Sequence, residues 1–195
     1  MKILQKICFV LLMGLFLTGC STSYNPRPSF NNKDKKTFDD KSPKWSTFNS
    51  KDAMTGEFSA YATSPPVGPL KKMSFPYGDV TGRVTVGCNK DNEWGHFQFT
   101  KQPNIADDTT KDGYNLIRTR IRWDNVMDYV TLTQKWGSEF IHFKDSRSSV
   151  LNIATSNSLL LELKWYGEGS THFKFSLNGS DKALVKIRSL CSNIK

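Results

Sequence analysis

Asn115-Leu116-Ile117-Arg118-Thr119-Arg120-Ile121-Arg122-Trp123 is the stretch that decides the architecture. Leu116, Arg118, Arg120 and Arg122 share one parity, and Ile117, Thr119, Ile121 and Trp123 share the other. A period of two is the spacing of a β-strand with one face on a core and one in solvent. Ser170 to Leu177 repeats the pattern: Thr171, Phe173, Phe175 and Leu177 point inward, while His172, Lys174 and Ser176 point outward.

Outward from these two strands the texture persists. Short runs rich in Val, Ile, Thr and aromatic residues, broken by Gly, Asn, Asp and Pro, predict strands near 45–49, 57–63, 82–88, 93–100, 129–135, 139–144 and 158–166, besides 114–123 and 170–177. Two segments have helical spacing instead. Asp145 or Ser146 caps 147–155, with Val150, Leu151 and Ala154 as its apolar stripe. Ser180 caps 180–191, where Ala183, Leu184, Ile187, Leu190 and Cys191 face one side. The expected fold is mostly β (α+β): one β-sandwich-like domain over 44–195 with two short helices.

The four cysteines divide by position. Lys2 and Lys6, the apolar run Ile7 to Thr18 and Leu17-Thr18-Gly19-Cys20 have the order of an export signal, too short for a spanning helix of about 20 apolar residues. Leu-Thr-Gly-Cys resembles the bacterial lipoprotein box, which implies cleavage after residue 19 and acylation of Cys20 with diacylglycerol and a further acyl chain such as palmitate. Two chains already anchor stably at about 0.8 kcal/mol per buried CH₂. Ser21 after that cysteine directs such proteins to the outer membrane by default, and the expected address is its periplasmic face. Cys8 leaves with the signal, so Cys88 and Cys191 remain as one expected disulfide in an oxidising compartment. Residues 20–43, polar and holding three prolines, read as a flexible tether.

The formal charge is +9, and loss of Lys2 and Lys6 with residues 1–19 lowers it by two. The opposites expected for an exported basic protein are anionic headgroups, lipopolysaccharide phosphates or an acidic protein rather than nucleic acid, or else the charge is a solvated surface that only aids solubility. Catalytic and metal-binding patterns are sparse. His96, His142 and His172 each precede a phenylalanine on a more polar strand face, without HxH, HxxxH or HExxH spacing, and read as surface or rim histidines. There is no GxSxG elbow, and the two thiols consume each other. Asp107, Asp108 and Asp112 lie in a polar loop without the DxDxDG register of a calcium site. No metal, cofactor or catalytic residue is expected.

Two stretches carry binding hypotheses. Arg118, Arg120 and Arg122 form a cationic ladder able to meet phosphates or carboxylates, or else to pair with acids of a neighbouring strand. Trp165 and Tyr166, before Gly167-Glu168-Gly169, are read as an exposed aromatic turn that anchors a partner, or else as the aromatic edge of the core.

Leu159-Leu160-Leu161-Glu162-Leu163, Tyr166-Gly167, Phe173 to Gly179, and Ala183-Leu184 through Ile187-Arg188 to Cys191 resemble the close of the type VI secretion-associated VasI-like (TagO-type) proteins. Val84 to Cys88 is similar to that family's strand ending in cysteine, and Trp45, Met54 and Thr55 to its opening strand. Ser176 and Trp165 depart from the family pattern. The resemblance implies a β-rich exported accessory protein without enzyme activity or cofactor, its partner a periplasmic protein such as a secretion-apparatus component. The rival readings are a cell-wall enzyme or an inhibitor of one, and a phage or mobile-element lipoprotein that blocks a surface receptor.

Overall fold

The computed structural model describes residues 44–106 and 108–192. The signal, Cys20, the tether and Asp107 lie outside the described residues. Alternation translates into ten strands and two helices in the order β1 (Ser46–Lys51), β2 (Phe58–Thr63), β3 (Gly82–Cys88), β4 (Glu93–Phe99), β5 (Thr109–Lys111), β6 (Tyr114–Trp123), β7 (Val126–Lys135), β8 (Phe140–Phe143), α1 (Ser146–Thr155), β9 (Ser158–Trp165), β10 (Gly169–Ser176) and α2 (Ser180–Ser192). The strands make one antiparallel sheet ordered β1-β2-β3-β4-β8-β7-β6-β9-β10, with β5 alongside β6. Mostly antiparallel β with two helices is the expected class.

The sheet rolls over on itself, because strands twist and the inward residues of both halves need one common core. The connection after β2 closes the roll: Val67 bridges Gly82 of β3, Pro69 bridges Phe173 of β10, and the Leu70 N–H donates to the His172 carbonyl at 2.8 Å. Rings of β4 then meet rings of β10 across the interior, Phe97 with Phe175 at 5.6 Å and Phe99 with Phe173 at 5.2 Å. Phe97, Phe99, Ile121, Leu132, Ile141, Leu161, Leu163, Phe173 and Phe175 are buried in this single core.

Both helices pack against the sheet, α1 on β4 and α2 on β2 and β3. Asp145, rather than Ser146, caps α1 by accepting from the Ser148 N–H at 3.2 Å. The α1 stripe is shifted from expectation: Ser149, Val150 and Ile153 are buried, whereas Leu151 is 61 % exposed. Ser180 is the first helical residue of α2, and its hydroxyl donates to the Ile153 carbonyl at 2.6 Å, tying α2 to α1 instead of capping. Ala183, Leu184, Ile187 and Cys191 are the buried apolar stripe of α2. Cys191 is joined to Cys88 with Cα atoms 6.2 Å apart across 103 residues of sequence, a covalent link of strand to helix.

Thr109 and Thr110, expected in a polar loop, form β5 instead. The turn after it, Asp112-Gly113, has φ of 52° and 80°, the left-handed pair that a two-residue hairpin needs.

Candidate functional site

Register fixes what meets on the outer face of the sheet. β6 pairs β7 with Arg118 opposite Thr131, Arg120 opposite Tyr129 and Arg122 opposite Met127. On its other side β6 pairs β9, where Arg122 faces Leu160. β9 pairs β10, bringing Glu162 opposite His172 and Leu160 opposite Lys174. All these residues have outward parity, so the arginine ladder, Met127, Tyr129, Glu162, His172 and Lys174 share one surface.

Glu162 organises that surface. It is 9 % exposed, and its carboxylate accepts from Arg120 through both forks, Nη2 to Oε2 at 2.5 Å and Nε to Oε1 at 3.3 Å. The His172 Nε2 lies 3.1 Å from Oε2. Burial by itself would raise this carboxyl; the hydrogen bonds from Arg120 and His172 outweigh it and hold the group below its ordinary range. The Thr119 hydroxyl, pointing inward, donates to the Glu162 carbonyl at 2.5 Å and fixes β6 against β9. Arg120 therefore has the acidic partner that one of the two sequence readings of the ladder required. Arg118 and Arg122 are exposed and have no ion pair among the described residues. The central pair separates two shallow hollows, one walled by Ile105, Ala106, Arg118, Tyr129 and Ser170, the other by Arg122, Met127, Leu160 and His172.

A carboxylate held ionised by a bidentate arginine is a weak general acid. Two guanidinium groups without ion pairs, beside the exposed Tyr129 and Met127, are suited instead to meeting carboxylates or phosphates on a partner while two apolar side chains exclude water.

The aromatic turn is half as expected. Trp165 is a correction: it is 1 % exposed, packed edge-on against Tyr77 at 4.8 Å and Phe99 at 5.6 Å. Its parity is that of Leu159, Leu161 and Leu163, so it belongs to the core face of β9. Tyr166 is 70 % exposed, with its backbone N–H donating to the Asn104 carbonyl at 2.8 Å.

The histidines separate. His96 and His142 are register partners on β4 and β8 with rings 5.1 Å apart, while His172 sits with Glu162. His96 is not a rim residue: it is 6 % exposed, covered by Phe140 and His142. Burial first, and then the neighbouring His142, push its pKa down to about 4, so it is neutral. Burial also lowers His142. Among the described residues no three His, Cys, Asp or Glu side chains gather as metal ligands. Glu162 was the residue missed by sequence reading; its signal was a lone acid inside the apolar run 159–163, at outward parity.

No protein-family model, curated protein or solved structure matches the chain.

Proposed function

We propose that this chain is a lipoprotein, anchored through Cys20 to the periplasmic face of the outer membrane, whose domain is a non-catalytic module that docks an acidic protein surface. The observation that carries the reading is the outer face of β6, β9 and β10, where Arg118 and Arg122 flank the clamped Arg120–Glu162 pair next to the exposed Tyr129 and Met127. Arg, Tyr and Met are the residues enriched at protein interfaces, and a fixed Arg120 costs no ordering on binding. The likeness of 158–191 to the VasI-like proteins favours a secretion-apparatus component as the partner. Tyr166 is an exposed aromatic on a separate turn and not part of this face.

A photo-crosslinking amino acid at Tyr129 in the full chain tests the site in living cells. An adduct with one protein is expected, and Arg118→Glu with Arg122→Glu should abolish it at unchanged export and melting temperature. Absence of an adduct, or one indifferent to the charge reversal, overturns the site. Acyl label on the wild type and none on Cys20→Ser is the expected result for the anchor.

A further inference from the structure

β1, at one end of the sheet, pairs with β2 alone among the described strands. The Asp52 N–H donates to the Glu57 carbonyl at 2.8 Å, which continues the β1–β2 ladder as a hydrogen-bonded pair. Such pairs recur at every second residue of an antiparallel ladder, so Ser50–Ser59, Phe48–Tyr61 and Ser46–Thr63 are the pairs that exchange hydrogen bonds with β2. The far side of β2 agrees: the Ser64 N–H donates to the Val84 carbonyl at 2.9 Å, placing the even residues 60, 62 and 64 on β3 and the odd ones on β1. The backbone groups of Thr47 and Asn49 therefore point away from the sheet. Among the described residues no other segment's backbone takes them.

We propose that β1 pairs with the β1 of a second copy of this chain, antiparallel and two-fold symmetric about Phe48. Three features select this occupant and this register. With Phe48 on the axis, Thr47 and Asn49 of the partner subunit form a hydrogen-bonded pair, and so do Asn49 and Thr47 of the partner subunit; every edge group in the middle of the strand is satisfied. Phe48 itself is 52 % exposed, stacked on Tyr61 at 4.9 Å, and Tyr61 meets the Trp94 edge at 6.0 Å. A second Phe48 continues that aromatic row, because non-hydrogen-bonded pairs bring side chains closest. The ends match in charge as well: Lys44 falls opposite Asp52 of the partner subunit, twice over. Asp52 stays ionised, its carboxylate accepting from the N–H groups of Thr55 and Met54 at 2.6 and 2.8 Å. Sliding the strands by other steps sets Phe48 opposite Ser46, Ser50, Lys44 or Asp52 and loses the ring pair. Six residues without proline, five exposed and Thr47 half-buried, are an edge open to such pairing. An isologous contact closes at two copies and leaves no further edge on β1.

None of these residues belongs to the arginine-bearing face, so dimerisation and partner docking stand or fall separately. The full chain in detergent is expected to show a monomer–dimer equilibrium by sedimentation over a concentration series. Thr47→Pro removes an N–H directed at the partner but not at β2; symmetry counts it twice, so the dissociation constant should rise roughly twentyfold. Phe48→Cys lies on the axis, where Cα atoms about 4.5 Å apart fall within disulfide reach, so mild oxidation should give a crosslinked dimer. Tyr129→Cys and the unsubstituted chain should not crosslink. A monomer at every concentration, or a dimer that Phe48→Cys fails to crosslink, overturns the proposal. Should Thr47→Pro unfold, the Phe48→Cys crosslink decides alone.

Discussion

The outer surface of the rolled sheet changes character between its two halves. Over β1 to β4 and β8 it is aromatic and the more closed half, with one exposed arginine, Arg83, beside a shallow hollow that Phe48, Thr63 and Gln98 also line: Phe48, Tyr61 and Trp94 form a row, the Thr63 and Thr85 hydroxyls bond each other at 2.8 Å, and His96 is roofed by Phe140 and His142. Over β6, β9 and β10 it is charged and hollowed around Glu162. Both halves share one core, so the contrast comes entirely from outward parity. The difference is one of density: Arg118, Arg120 and Arg122 gather around Glu162 and His172 on the second half, whereas Arg83 stands alone on the first.

Five substitutions put this contrast to the test. Trp165→Ala strikes the core common to both halves and should destabilise by about 3–5 kcal/mol, whereas Tyr166→Ala one residue on should stay within about 0.5 kcal/mol; chemical denaturation of the pair reads the difference. Cys88→Ser releases α2 from the closed half. It should cost about 2–5 kcal/mol, a melting temperature roughly 6–15 °C lower by calorimetry.

The third prediction uses pH. His96 titrates at about 4 in the folded chain and at about 6.5 when exposed. Below 6.5 the unfolded state takes up a proton that the folded state refuses, so stability falls as pH drops from 6.5 to 4, by up to about 3 kcal/mol, and this contribution levels off below that. His96→Gln should flatten that slope, and an unchanged pH profile of denaturation would show that His96 titrates normally. The smallest effect belongs to Gly87, which lies under Trp94: an added Cβ would come 2.6 Å from the indole ring. Gly87→Ala should therefore cost about 1–3 kcal/mol and lift Trp94 toward water, seen as a red shift of emission.

Much of this was legible because period-two alternation is a local signal. It placed β6 and β10 with the correct faces inward, and elimination among four cysteines gave the Cys88–Cys191 bond. The same alternation on β9 put Trp165 with Leu159, Leu161 and Leu163; reading the Trp-Tyr pair as a loop tip overrode it. β5 was missed because three polar residues carry no hydrophobic period, although Asp112-Gly113 marked its hairpin. The Glu162 cluster could not be assembled locally, since the pairing of β6 with β9 joins residues 42 positions apart. The burial of His96 likewise depends on Phe140, which arrives from β8.

The disulfide also has a mechanical meaning. Residues 88 to 191 form a covalent ring, and everything described before residue 88 hangs outside it. A pull entering at residue 44 meets β1, β2 and most of β3, held only by hydrogen bonds and packing, and these peel one after another. Peeling stops at Cys88, after about 150 Å of released chain at roughly 3.4 Å per residue. The load then crosses the sulfur bridge into α2, while β6 with its arginines and β9 lie within the ring, so that a partner docked there as proposed would stay covalently tied to the pulled chain by an extended leash.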